Sequence, residues 1–130
     1  MKQEKRALIE YRMERAKETF NEAKILFDAG KTNAYVNRLY YACFYAVSAL
    51  LLMRDLSTSK HGYLRSLLHR EFIKTGLIPK ELGDHFDLLF DSRHRGDYED
   101  FVKFEKENVA GWLKPTEDFI AHIDRLIKTT

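Results

Sequence analysis

A chain of 130 residues, 45% apolar and 32% charged, with 6 glycines and 2 prolines, is long enough to bury one core, too short for two, and unlike a disordered or low-complexity protein. Its 22 basic and 20 acidic residues leave a formal charge of +2, which gives no global field toward nucleic acid or membrane, so any basic site is local. The single cysteine, Cys43, rules out an intrachain disulfide and a cysteine-built zinc site, and it fits a reducing interior.

Ile9, Met13, Ala16, Phe20, Ala23 and Phe27 recur at steps of three and four, which predicts an amphipathic helix from about Gln3 to Ala29. Gly30 is placed to end it in a left-handed conformation, and Thr32 or Asn33 to cap the next. From Leu39 to Met53 only Ser48 is polar. A helix there, taken as Asn33 to Arg54, must be enclosed by other helices or by a second subunit, and a homodimer is expected. Arg54 to Lys60, RDLSTSK, reads as a loop. Leu64, Leu67, Leu68 and Phe72 mark a short helix that Gly76 can end, and Pro79 suits the first turn of its successor. That successor carries Leu82, Phe86 and Leu89 on one face, and the same stripe runs on into Arg93. Gly96 and Asp97 are expected to break it, with Tyr98 to Lys103 as a connection. Val109, Trp112, Thr116, Ile120, Ile123 and Ile127 define a last helix from about Glu105 to Lys128, kinked where Pro115 meets the carbonyl of Gly111. No strand-like alternation or internal repeat is present. The expected fold class is therefore all-α, an up-and-down bundle of four long helices plus one short one, in a single domain over residues 1–130. With no signal-peptide core and no apolar run long enough for a bilayer, the expected setting is cytoplasmic, without membrane contact.

Most candidate chemistry dissolves. The five histidines, His61, His69, His85, His94 and His122, show no metal-ligand spacing, so neither a metal nor another cofactor is expected. Cys43, inside the apolar run, reads as a small buried hydrophobe, and no phosphate loop or nucleophile elbow is present. Two constellations stand out. In the first, Asn37, Arg38, Tyr40 and Tyr41 open the most apolar helix with hydrogen-bonding groups. In the second, Arg93-His94-Arg95-Gly96-Asp97-Tyr98 gathers two guanidinium groups, an imidazole, a carboxylate and a phenol, a set suited to phosphate oxygens and a stacked base. The bland alternative is a helix end favoured by its macrodipole, with Asp97 paired to Arg93 or Arg38. Between them Arg54 to Lys74 holds five Lys or Arg against two acids, plus His61 and His69, and its bland reading is a solvated helix surface.

The runs NRLYYACFYAVSALL at Asn37 to Leu51, KHG at Lys60 to Gly62, EFIKTGLIPKELG at Glu71 to Gly83 and SRHRGDYEDF at Ser92 to Phe101 together resemble a HEPN domain. More narrowly, they are similar to the prokaryotic branch commonly encoded beside a minimal nucleotidyltransferase (MNT), over roughly Tyr11 to Ile127. The resemblance implies the same bundle, a homodimer, and an MNT-type nucleotidyltransferase as partner in a toxin–antitoxin or defence pair. In several HEPN proteins the dimer is a metal-independent ribonuclease built on an Arg, a short run and a His, often followed by a Tyr. Here only Arg93 matches, because Tyr98, Glu99 and Asp100 stand where the His belongs. RNA cleavage by 2′-OH attack needs a proton acceptor and donor near neutral pH, so the missing His favours a nucleotide- or RNA-binding or regulatory protein. The candidate site residues are Asn37, Arg38, Tyr41, Lys60, His61, Arg93, Arg95, Asp97 and Tyr98, with Arg93 the one catalytic candidate. The resemblance also implies Tyr98 as an acceptor of AMP. The alternatives are a weak metal-independent endoribonuclease centred on Arg93, with Tyr98, His94 or His61 handling protons, and a structural bundle with no ligand.

Overall fold

The computed structural model describes residues 2–129. The apolar stripe of the first segment forms α1 (Gln3–Asp28), burying Ile9, Met13, Ala16, Phe20 and Ala23. Gly30, at φ +75°, closes it as expected: its N–H bonds the Phe27 carbonyl and that of Lys31 bonds Leu26, so the orphan carbonyls of the last turn are met. The chain reverses at once into α2 (Thr32–Leu52). Neither Thr32 nor Asn33 caps it. Asn33 instead bonds the distant connection after α4, donating to the Val102 carbonyl (2.9 Å) and accepting from the Phe104 N–H (3.0 Å).

α2 is the axis of the bundle, with α1, α4 and α6 packed around it and the start of α3 (His61–Leu68) against its middle at Tyr40 and Phe44. Tyr35, Leu39, Tyr40, Cys43, Val47 and Ala49 are completely buried. Ala42, Cys43, Ala46 and Ala49 are small enough for neighbouring helices to approach closely on those faces. Tyr41, Phe44, Tyr45, Ser48 and Leu52 remain half-buried.

α3 continues through a π turn (His69–Ile73) and ends near Gly76, at φ +83°. Pro79 immediately precedes α4 (Lys80–Tyr98). The expected break at Gly96 and Asp97 does not occur, for α4 runs straight through both. Gly96 serves close packing, since a Cβ there would lie 2.9 Å from Cε2 of Phe104. The last arm is interrupted where Gly111 allows it: α5 (Lys106–Val109), a 3-10 turn (Ala110–Trp112) and α6 (Leu113–Lys128) follow in order. Pro115 therefore lies in the first turn of α6, where its missing N–H costs no hydrogen bond, and the break in regular helix falls at Gly111, whose carbonyl its ring was expected to meet. Phe86 of α4 stacks on Phe119 of α6 at 5.7 Å, closing the core. Among the described residues there is no strand, and no helix is long and apolar enough to cross a membrane.

Candidate site around Arg93

The stripe on α4 that buries Phe86 and Leu89 also carries Arg93 inward, and only 7% of its side chain is exposed. An isolated buried cation costs several kcal/mol unless it is compensated. Compensation here is mostly aromatic. The guanidinium carbon lies 5.0 Å from the centre of the Tyr40 ring, 5.7 Å from Tyr41 and 5.8 Å from Tyr98. Each such contact is worth about 0.5–2 kcal/mol, more where water is excluded. The polar contacts are long: Nη1 is 3.5 Å from Asp97 Oδ2 and 3.5 Å from the Tyr41 hydroxyl. Nε is buried and no protein group accepts its hydrogen. Charge-assisted bonds of this kind are normally nearer about 2.8 Å, so the guanidinium is held in place but left under-used.

Asp97, one turn on, is held by Asn37 of α2, whose Nδ2 donates to both carboxylate oxygens at 3.1 and 3.3 Å. Asn37 Oδ1 accepts from Arg38 Nε (3.2 Å) and Nη2 (3.0 Å), and Arg38 lies over Tyr41 at 5.1 Å while its Nη1 approaches Glu22 at 3.8 Å. A hydrogen-bonded chain thus runs from Arg38 through Asn37 to Asp97 and Arg93. The two constellations seen in the sequence form one site, because α2 and α4 pack side by side at this end.

His61, the first residue of α3, joins them from a third element. Its Nδ1 lies 2.7 Å from the hydroxyl of Tyr40, and its ring packs 4.6 Å from Phe44. Burial and the nearby charge of Arg93 lower its pKa below the ordinary imidazole range, which keeps the ring neutral at neutral pH. Burial pushes the Tyr40 phenol strongly upward, so it holds its proton. Tyr40 thus connects the other two groups, with the guanidinium over its ring and the imidazole on its hydroxyl. In the sequence its hydroxyl was one hydrogen-bonding group among several at the start of α2, and nothing there tied it to His61.

The remaining candidates stand apart. Arg95 is exposed and pairs with Glu99 at 3.5 Å. Lys60 is exposed and gives α3 its N-terminal carbonyl, which accepts from Leu64. His94 is exposed and packs against Tyr98, ring to ring at 4.9 Å. Tyr98 itself is 69% exposed, with its phenol open to solvent beside the guanidinium. The basic stretch is largely engaged: Arg54 lies over Phe72 and bonds Glu71, and Arg65 lies over Phe90 and bonds Asp91. A half-buried aromatic stripe of Tyr41, Phe44 and Tyr45 borders the site, with Arg15 over Tyr45 at its end.

Comparison with known proteins agrees with this architecture. The HEPN domain profile matches residues 9–126. A "UPF0332 protein" of Thermotoga maritima is 46% identical across 96% of this chain and 95% of that protein. The Methanocaldococcus jannaschii protein named "Putative toxin MJ0605" is 30% identical across 98% of this chain and 92% of that one. The crystal structure of TT1696 from Thermus thermophilus superposes with a TM-score of 0.75 over 90% of this chain and 96% of that one, at 15% identity, a likeness of fold.

Proposed function

The chain belongs to the HEPN domain family, and from that premise we propose that it is the RNA- or nucleotide-binding, toxin-like half of a pair whose other member is an MNT-type nucleotidyltransferase. The observation that carries the binding reading is Arg93: buried, ringed by tyrosines, with long polar contacts and an Nε that no protein group uses. A phosphate arriving there gains short charge-assisted bonds that the folded chain by itself lacks. Exposed Tyr98 and the aromatic stripe offer rings for bases. The toxin-like role is supported by the name of the Methanocaldococcus relative, and the MNT partner by the resemblance of the motif runs.

In this reading the protein acts in the cytoplasm as a homodimer that covers part of the Tyr41–Phe44–Tyr45 stripe. Sedimentation of a single 15.4 kDa species at micromolar concentration overturns that part. Tyr98 is the residue on which the partner places AMP: its phenol is reachable, and Arg93 lies beside it to steady a transferred phosphate. The phenol oxygen bonds the α-phosphorus of ATP as pyrophosphate leaves and the phenol proton passes to solvent, so incubation with the cognate MNT protein, ATP and Mg²⁺ adds one adenylyl group, and the addition is lost in Tyr98→Phe.

Binding of a short labelled single-stranded RNA at low salt, followed by anisotropy, tests the core of the proposal. The unaltered protein binds, and Arg93→Met loses at least about tenfold, the worth of one charge-assisted hydrogen bond. Equal binding by the two proteins refutes the reading. A weak metal-independent endoribonuclease centred on Arg93 is the second reading, favoured by the imidazole of His61 next to the same guanidinium. It requires RNA cut by the unaltered protein and left whole by Arg93→Met.

A further inference from the structure

We propose that His61 is the second arm of the Arg93 site: fixed by Tyr40 as a neutral Nε2–H donor, it grips a phosphodiester of single-stranded RNA together with the guanidinium, and it takes no proton from it. The inference rests on the binding reading above and decides between it and the nuclease reading.

The position of one hydroxyl proton decides the tautomer of His61. Tyr40 is completely buried, its ring packed against Tyr41, Phe44, Phe86 and Phe90 with Arg93 above it. Phenylalanine rings offer no lone pair, and a guanidinium only donates. Among the described residues the one hydrogen-bond partner of the Tyr40 hydroxyl is His61 Nδ1, at 2.7 Å. Because burial keeps the phenol protonated, its proton is donated to Nδ1. A neutral imidazole has one N–H, so with Nδ1 accepting, the hydrogen sits on Nε2. Buried His85 is fixed the opposite way. Thr116 spends its hydroxyl proton on the Trp112 carbonyl (2.7 Å), so its oxygen must accept from His85 Nε2 at 2.8 Å. There the N–H is consumed inside the protein, whereas half-buried His61 is bonded through Nδ1, and among the described residues none engages its Nε2.

Arg93 and His61 therefore meet on Tyr40 as two donors, one over its ring and one at its hydroxyl. The nearest carboxylate, Asp97, is already engaged by Asn37 and Arg93. The two non-bridging oxygens of a phosphodiester accept from both arms, and the Phe44 and Tyr98 rings stand close enough to stack on neighbouring bases. A base for 2′-OH attack would need a lone pair on Nε2, and the Tyr40 bond removes it.

Two measurements on the full chain test this. Long-range 15N–1H NMR is expected to show His61 as the Nε2–H form, and to show a mixture in Tyr40→Phe. With a short labelled oligouridylate, His61→Ala is expected to bind about tenfold more weakly, His61→Gln to regain most of the loss because its amide N–H reaches a similar position, and the RNA to be recovered whole. His61 found as the Nδ1–H form overturns the proposal, as does RNA cleaved by the unaltered protein but left whole by His61→Ala. Binding that Arg93→Met abolishes and His61→Ala leaves intact also overturns it while sparing the binding reading. No binding by the unaltered protein overturns both.

Discussion

The seam between α4 and α6 and the place where α2, α3 and α4 meet both set a histidine against a hydroxyl, yet they finish differently. At the seam His85 donates to Thr116 and Thr116 to Trp112, while Phe86 and Phe119 stack alongside. That chain of donors ends on a backbone carbonyl, so the region is closed. At the other end Tyr40 donates to His61, Arg93 reaches Asp97 and Tyr41 only at 3.5 Å, and Arg93 Nε meets nothing. A buried donor left unused costs about 1–3 kcal/mol, and it persists here beside a tyrosine cage that holds the guanidinium in one place. Satisfied burial serves the fold, and unsatisfied burial one helix away marks where a ligand is expected.

The contrast breaks if the closed seam proves to be dispensable. Phe86→Ala is expected to cost about 3–5 kcal/mol in urea unfolding, because it removes a completely buried ring and leaves a cavity. Acid acts on the same seam. Burial lowers the His85 pKa to about 4 from its ordinary 6.5, so below pH 6.5 the unfolded chain binds a proton that the folded one refuses. Stability is whole above about pH 6.5, declines as pH falls toward 4 and is flat in this term below that, for a total of roughly 3 kcal/mol. Urea midpoints at about pH 7 and about pH 4.5 show this, and in His85→Gln the part of the slope due to this histidine disappears. Tyr35→Phe is a milder probe. It strips the hydroxyl that donates to the Val109 carbonyl at 2.9 Å, with an expected loss of about 1–2 kcal/mol. The smallest stability change belongs to the open end. Arg93→Met replaces an under-compensated cation with an apolar chain of similar reach and is expected to stay within about 1 kcal/mol of the parent, or to gain. A loss as large as that of Phe86→Ala means that Arg93 is a structural residue, and the contrast fails.

How much of this could be read in the chain varies from element to element. α1 was legible because its apolar residues keep helical spacing along its length and Gly30 ends it. α4 was legible to Arg93 but was ended too early, since Gly96 suggests a break by its type and is in fact there to admit the Phe104 ring. The irregularity expected where Pro115 meets Gly111 is present, in the form of a 3-10 turn just before α6 that places the proline in a first turn. Which faces of α2 the other helices cover was not legible, because its small residues could not be matched to the helices that approach them.

At the site, the residue types were visible and the partnerships were not. The nearness of Arg93, Asp97 and Tyr98 along the chain, and the absence of a His after Arg93 at the motif position, needed only the sequence; that the three share one helical face required α4 to run on through Gly96. That Asn37 lies against Asp97, that Tyr40 is more than a core ring, and that Lys60 and Arg95 stand outside depended on how α2, α3 and α4 pack. Helical periodicity determines which residues share a face of one helix. Which faces meet is decided by close packing among all the helices at once, and a hydrogen bond between residues 21 positions apart, like that of Tyr40 and His61, exists only after that choice is made.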